Sequence, residues 1–316
     1  MKAQVQGMGR KGLGFAAAAV MTTFAGQAFA EDLLGQPTPG GIALQPAASV
    51  LKHDAIWFHD WVLLPIITAI TLLVLGLLVW IMIRYNRKAN PVPAKFSHNT
   101  TIEIIWTIVP VLILMIIAIF SFRLLFKYND MPKPYMTVKA TGYQWYWGYE
   151  YPDQKVPEII SKVLSEEEVA AKGLPHGLYR LAADNAMVVP VNQVVRVQVT
   201  AADVIHAFAL PAFGLKTDAI PGRLNETWFK AEKVGTYYGQ CSELCGIDHA
   251  FMPIEIKVVT QAEFDAWVKA KAPAEAPAAP AAAEAAPAAA PAATPAAAPA
   301  APASAPAAAP AAAPAA

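Results

Sequence analysis

Two stretches of the 316-residue chain carry almost no polar positions, and they set its architecture. Trp61 to Ile83 is a run of 23 residues without a charge. That is long enough to cross a hydrocarbon core of roughly 30 Å at about 1.5 Å per residue. Ile104 to Phe122 adds 19 more, with Pro110 inside it, a residue that membrane helices tolerate. The loop between them carries Arg84, Arg87, Lys88 and Lys95, and no acid before Glu103. Basic loops favour the cytoplasmic side, so this loop is predicted inside and both flanking segments outside. The expected architecture is a two-helix transmembrane hairpin holding an external domain.

Beyond Phe122 the pattern changes to short β-rich runs: Tyr135–Thr141, Tyr143–Tyr151, Val188–Thr200, Val204–Leu210, Glu226–Lys230, Thr236–Gln240 and Met252–Val259. Turn residues at Pro211 and Pro221-Gly222 separate several of them. This spacing predicts a small antiparallel sandwich or barrel over residues 131–271. Two short helices interrupt it. Ser165 with Glu168 forms a capping box closed by Gly173, and Thr260 with Glu263 opens a second helix ending near Lys271.

The two ends of the chain read differently. Lys2, Arg10 and Lys11 precede an apolar, small-residue stretch, and Ala28-Phe29-Ala30 before Glu31-Asp32 is an A-x-A cleavage signature. Residues 1–30 are therefore expected to be a secretory signal peptide, and residues 31–130 the N-terminal segment with the hairpin. From Ala272 to Ala316 there are 30 Ala and 11 Pro among 45 residues. Prolines at that density forbid a long helix, and the segment lacks core-forming residues, so 272–316 is expected to be a disordered Ala/Pro-rich tail.

Composition narrows the chemistry. Hydrophobic residues make up 56%, charged residues 15%, and the mean hydropathy is +0.37, which excludes an ordinary soluble enzyme. Lys+Arg and Asp+Glu balance at 24 each, without the basic surplus of a nucleic-acid binder. Without Lys2, Arg10 and Lys11 the balance is 21 basic to 24 acidic. Two cysteines are too few for a disulfide framework or a zinc ribbon.

Those two cysteines lie in the segment Cys241-Ser-Glu-Leu-Cys245-Gly-Ile-Asp-His249-Ala-Phe-Met252. Two thiols, an imidazole and a thioether fall within twelve residues, just before the last predicted strand. Soft sulfur ligands with imidazole select copper over magnesium, calcium or manganese. A single Cys/His/Met set would suggest a mononuclear site. Two thiolates can bridge two metals, and each metal then needs its own imidazole. His206, on a separate β-rich run, is the candidate for the second. A Cys-x-x-x-Cys pair in an oxidising compartment also fits a disulfide, and taken alone Met252 and His206 fit core packing. His53, His59 and His176 read as surface residues.

The chain resembles subunit II of cytochrome c oxidase, of bacterial aa3-type haem-copper oxidases given the secretory signal, over roughly residues 50–271. The resemblance rests on the CSELCGIDHAFM loop and on the run Gly142-Tyr-Gln-Trp145-Tyr-Trp-Gly-Tyr-Glu-Tyr151. It rests also on Leu215-Lys-Thr-Asp-Ala-Ile-Pro-Gly-Arg223-Leu-Asn and on Ile104-Ile-Trp106-Thr after Glu103. It implies a cupredoxin-like all-β sandwich holding a binuclear copper centre, CuA. By position, Cys241 and Cys245 would bridge both coppers, and His206 and His249 would each bind one. Met252 and the backbone carbonyl of Glu243 would complete the set, with the Glu243 side chain directed to a magnesium ion shared with subunit I.

The resemblance also implies that Trp145 receives the electron from cytochrome c, with docking by acids such as Asp203; the position before it is Ala202. Residues 131–271 hold 14 basic and 16 acidic side chains, so any docking charge is local. Glu103, with His98 nearby, would stand at a proton-uptake path; by its position alone it is an interfacial acid. Arg223 would face subunit I on its haem side. The implied partners are subunits I and III, cytochrome c and the bacterial inner membrane, with the C-terminal domain periplasmic and no nucleic acid. A quinol oxidase subunit would lack the copper ligands. Nitrous-oxide reductase needs a propeller that this chain has no room for. A membrane-anchored copper carrier would not need Trp145, Glu103 or Arg223, and a fused cytochrome c would need a Cys-x-x-Cys-His that is missing here.

Overall fold

The structure, a computed structural model, describes residues 33–272. The expected signal peptide, and all but the first residue of the expected tail, lie outside the described residues. The first apolar run is helix α1 (Val50–Arg84) and the second is α2 (Thr100–Asn129), both longer than the predicted spans. Polar caps account for the extra turns. Ser49 accepts the N–H of Lys52 at the start of α1, and Asn99 accepts that of Ile102 at the start of α2. A π turn over His59–Leu63 precedes Pro65, where a wider turn makes room for a residue with no N–H to donate. The most apolar window of each helix has a mean hydropathy of 2.8 and no buried residue. Such surfaces are stable only against lipid or neighbouring membrane helices, so the chain is a membrane protein with a C-terminal soluble domain.

That domain has ten strands: β1 (Met136–Tyr143), β2 (Tyr146–Tyr151), β3 (Val156–Ser161), β4 (Met187–Pro190), β5 (Val194–Ala201), β6 (His206–Leu210), β7 (Leu215–Ala219), β8 (Asn225–Lys230), β9 (Gly235–Cys241) and β10 (Pro253–Val259). They form two five-stranded sheets, ordered β3-β2-β1-β5-β8 and β4-β10-β9-β6-β7. The expected sandwich is present, but its pairing is not wholly antiparallel: β1 runs parallel to β5, and β4 to β10. The cause lies in the run Val188–Thr200, which is two strands rather than one. Asn192 adopts a left-handed φ of 60° between them, and the chain crosses there from one sheet to the other. Strands β3 and β7 were not expected. Both are sheet edges with charged or polar residues facing solvent, so their hydrophobic alternation is faint.

Inward positions from both sheets build one core. On β5, Val195, Val197, Val199 and Ala201 alternate into it, and Trp147, Phe208, Phe213, Phe229 and Ile254 are fully buried. Trp147 packs edge-on to Phe208 with ring centroids 5.5 Å apart, a favourable aromatic geometry. Helices α3 (Glu166–Ala171) and α4 (Gln261–Lys271) begin at the two predicted capping boxes, and both boxes are fully formed. The hairpin is tied to the sandwich at the end away from the 85–99 loop. The Trp228 indole N–H donates to the Tyr128 carbonyl at 3.1 Å, and the Tyr128 hydroxyl to the Gly214 carbonyl at 2.9 Å. Ser49 Oγ donates to the Phe213 carbonyl at 2.8 Å, and Lys127 pairs with Asp54 between the two helices.

Candidate metal centre

β9 ends at Cys241 and its antiparallel neighbour β10 begins at Pro253, so the connection between them hangs off one end of the sandwich. Cys245, His249 and Met252 lie in that connection. β6 pairs with β9 at Phe208 and Cys241, which brings His206, the first residue of β6, beside the loop. The Sγ atoms of Cys241 and Cys245 are 3.9 Å apart. Cys241 Sγ is 3.9 Å from His206 Nδ1 and 3.3 Å from the Glu243 carbonyl oxygen. Cys245 Sγ is 3.4 Å from His249 Nδ1 and 3.5 Å from Met252 Sδ. Ligand atoms of His206, Cys241 and Cys245 all fall within 4.8 Å of one another. His249 joins this cluster through Cys245.

A disulfide needs a sulfur separation of about 2.05 Å, and both cysteines are free. The disulfide that the spacing left open is therefore not formed. The donors are two thiols, two imidazoles, a thioether and a carbonyl, a soft set that fits copper. Three of the donor residues are nearly sealed from water: His206 is 0% exposed, Met252 1% and Cys245 4%.

The electrostatics favour a bound cation. Burial resists ionisation of Cys241, but hydrogen bonding to His206 and to the backbone at Glu243 and Ala207 outweighs it and brings the thiol down to about 7. Burial, and then the charge on Cys241, push Cys245 up to about 12. The pair gives up one proton readily and holds the second, which a metal ion between the sulfurs would displace. Burial opposes protonation of His206, but its hydrogen bonds to Cys241 and Asp203 raise its pKa overall.

Glycine and backbone contacts complete the site. A Cβ on Gly142 would lie 2.8 Å from His206 Cδ2, so the absence of a side chain leaves room for the imidazole. Gly246 has φ +128°, and a Cβ there would lie 2.8 Å from Trp145 Cζ2. Trp145 Nε1 donates to the Cys245 carbonyl at 3.3 Å, and Gln144 Nε2 donates to the same oxygen at 2.9 Å. Trp147 Nε1 donates to the Met252 carbonyl at 3.3 Å.

The predicted site residues divide into two groups. His206, Cys241, Cys245, His249, Met252, the Glu243 carbonyl and Trp145 converge; the Glu243 side chain is exposed. Glu103 does not join them. It sits in the first turn of α2, 26 residues or about 39 Å of helix from the end nearest the sandwich. His98 is exposed just before that helix, and Arg223 is exposed in the turn after β7. His53, His59 and His176 lie at the surface as expected, each hydrogen-bonded to a carboxylate. Sequence reasoning gave no role at the centre to Gly142 or Gln144, because their contacts span 64 and 101 positions of chain.

A β-sandwich on a membrane hairpin, with a buried dithiol–imidazole cluster at one end that could hold a metal, defines a membrane-anchored protein with a candidate metal centre. Residues 136–259 match the family described as cytochrome c oxidase subunit II, periplasmic domain, and residues 37–124 match its transmembrane domain. The chain is 51% identical over 236 residues to a probable cytochrome c oxidase subunit 2 of Rickettsia bellii, covering 75% of this chain and 86% of the relative. It is 45% identical over 267 residues to cytochrome c oxidase subunit 2 of Cereibacter sphaeroides, covering 78% and 86%. The crystal structure of the periplasmic domain of subunit II of cytochrome oxidase of Bradyrhizobium japonicum is 60% identical, covering 45% of this chain and 96% of that one, with a TM-score of 0.41. This chain belongs to the cytochrome c oxidase subunit II family.

Proposed function

We propose that this chain is the electron-accepting subunit of a proton-translocating cytochrome c oxidase. It takes electrons from cytochrome c at a binuclear CuA centre and passes them to haem in subunit I, where oxygen is reduced and protons are pumped. The observation that carries this reading is the convergence of two free thiols, two imidazoles, a thioether and a carbonyl at one end of the sandwich. Cys241, Cys245, His206, His249, Met252 and the Glu243 carbonyl would hold the metals. When bound, the copper pair would supply a one-electron redox couple.

The chain's own residues do the rest. The sulfurs and His206 are buried away from water, and the sandwich holds His206 and Cys241 on paired strands, with the loop carrying Cys245 and Met252 anchored between β9 and β10, so the donors are preorganised. Trp145 is the point where the electron arrives: its half-buried indole reaches the surface and is hydrogen-bonded to the carbonyl of Cys245. The exposed Glu243 carboxylate is free to hold a magnesium ion with subunit I, and Arg223 faces the same neighbour. Subunit III is the further partner in the membrane. Glu103, with His98, sits at the opposite, cytoplasmic end, where it serves a proton-uptake path. The sandwich then lies on the periplasmic side of a bacterial cell membrane, in keeping with the basic loop between α1 and α2.

The test is electron paramagnetic resonance on the oxidase purified through this chain. Hyperfine structure shared equally by two copper nuclei, with two coppers bound per chain beyond those of subunit I, is the expected result. A one-copper pattern overturns the binuclear reading.

A further inference from the structure

Asp203 lies three residues before His206, in the loop joining β5 to β6. By charge alone it is an acid available to a basic partner. Its hydrogen bonds assign it other work. Oδ1 is 2.9 Å from His206 Nε2 and also accepts the Val204 N–H at 2.6 Å, while Oδ2 accepts the Gln144 N–H at 2.7 Å. One carboxylate therefore grips an imidazole on one sheet and the peptide leading into Trp145 on the other. His206 turns Nδ1 toward Cys241. With Asp203 accepting at Nε2, the ring proton is held there and the Nδ1 lone pair is left facing the sulfurs. His249 has no such clamp: it is half-buried, and among the described residues its Nε2 has no hydrogen-bond partner.

We propose that Asp203 is a positioning residue for the metal centre, fixing the tautomer and orientation of His206 and tying that ligand to the Gln144–Trp145 backbone. The proposal rests on the copper reading above. It treats Asp203 as part of the centre's support, whatever it adds to the docking of a partner.

Two neutral variants separate these roles. Asp203→Asn removes the charge but keeps an oxygen that can accept from His206, whereas Asp203→Ala removes both. Each is made in the intact oxidase and compared with wild type by copper hyperfine pattern, retention of copper against a competing chelator, reduction potential, and the salt dependence of KM for cytochrome c. The alanine variant is expected to hold copper about 10- to 100-fold more weakly and to show an altered hyperfine pattern. The asparagine variant keeps the wild-type pattern, with a higher reduction potential because the carboxylate no longer favours the oxidised site. Docking at low salt weakens equally in both, since both lose the same charge.

Alanine and asparagine variants that match each other in copper retention and pattern, and differ from wild type only in a salt-dependent KM, would make Asp203 a docking acid and overturn the proposal. If the alanine variant fails to assemble, the asparagine variant decides, and an unshifted potential there overturns the proposal. A wild-type oxidase without the two-copper pattern overturns the copper reading itself, and the positioning role with it.

Discussion

The hairpin and the sandwich are both rich in apolar residues, but for opposite reasons. In the sandwich, Trp147, Phe208 and Ile254 are 0% exposed because the chain's own strands cover them. In the helices, Leu72, Leu114 and Phe126 are 61%, 64% and 68% exposed, and nothing among the described residues covers them. The sandwich carries its core with it, whereas the hairpin depends on lipid and neighbouring helices. Among the described residues the two meet at the end of the hairpin away from the 85–99 loop, where Ser49, Tyr128 and Trp228 bond across, His53 pairs with Glu232 and Leu51 enters the core. Rigidity follows the same division. His206 and Cys241 sit on paired strands, and the loop carrying Cys245, His249 and Met252 is pinned between β9 and β10, so the candidate metal centre is built on the self-sufficient half.

Substitutions can break this contrast, and the largest effect belongs to the sulfurs. Under the copper reading, Cys241→Ser replaces a soft donor with a hard one, so the two-copper resonance should vanish while circular dichroism still reports an intact sandwich. Phe208→Ala empties the core beside Cys241 and should cost about 3–5 kcal/mol, read as a fall in the Tm of the C-terminal domain. Leu112→Arg, near the middle of α2, should leave that Tm unchanged but cost about 3 kcal/mol of insertion free energy, read as less chain in the membrane fraction. If Phe208→Ala impaired insertion, or Leu112→Arg melted the sandwich, the two halves would not be independent.

Smaller changes sharpen the comparison within the sandwich. Gly142→Ala places a methyl against the His206 ring and should cost about 1–3 kcal/mol, with a measurable loss of copper affinity. Glu255 tests a half-buried acid on β10, near Lys172, Lys257 and Asp184. Burial there holds its carboxyl above the usual range, although the Ala183 N–H and the two lysines pull it back. The folded chain thus binds this proton more tightly than the unfolded chain. Its contribution is present below the unfolded carboxylate range and is lost as pH rises through the raised value. Glu255→Gln keeps an oxygen for Ala183 and should raise the Tm slightly at about pH 7, with the gain gone by about pH 4. A gap that widened in acid would reverse the sign assigned to this group.

Much of the molecule is legible along the chain because it is local. A membrane span is a matter of consecutive apolar residues, and a capping box needs only Ser165 with Glu168, or Thr260 with Glu263. The cysteine loop compresses four candidate donor side chains into twelve residues, so the chemistry it could support is visible without any fold. The edge strands β3 and β7 were missed because half of each faces water and their patterns lose contrast. The run Val188–Thr200 looked like one strand because its hydrophobicity is nearly continuous, while the break at Asn192 is a matter of backbone conformation.

The sequence by itself determined the hairpin, the β-rich domain after it and the kind of metal that the loop would suit. Tertiary structure decided which strands run parallel, that the two thiols stay apart, and that His206 and Cys241 face each other across paired strands. It also decided that Asp203 bonds to the His206 imidazole and to the peptide before Trp145. The physical reason is range. Propensity, capping and hydropathy act between neighbours in sequence, whereas a ligand set is closed by contacts between residues far apart in the chain. Those contacts exist only once two sheets have packed around a common core.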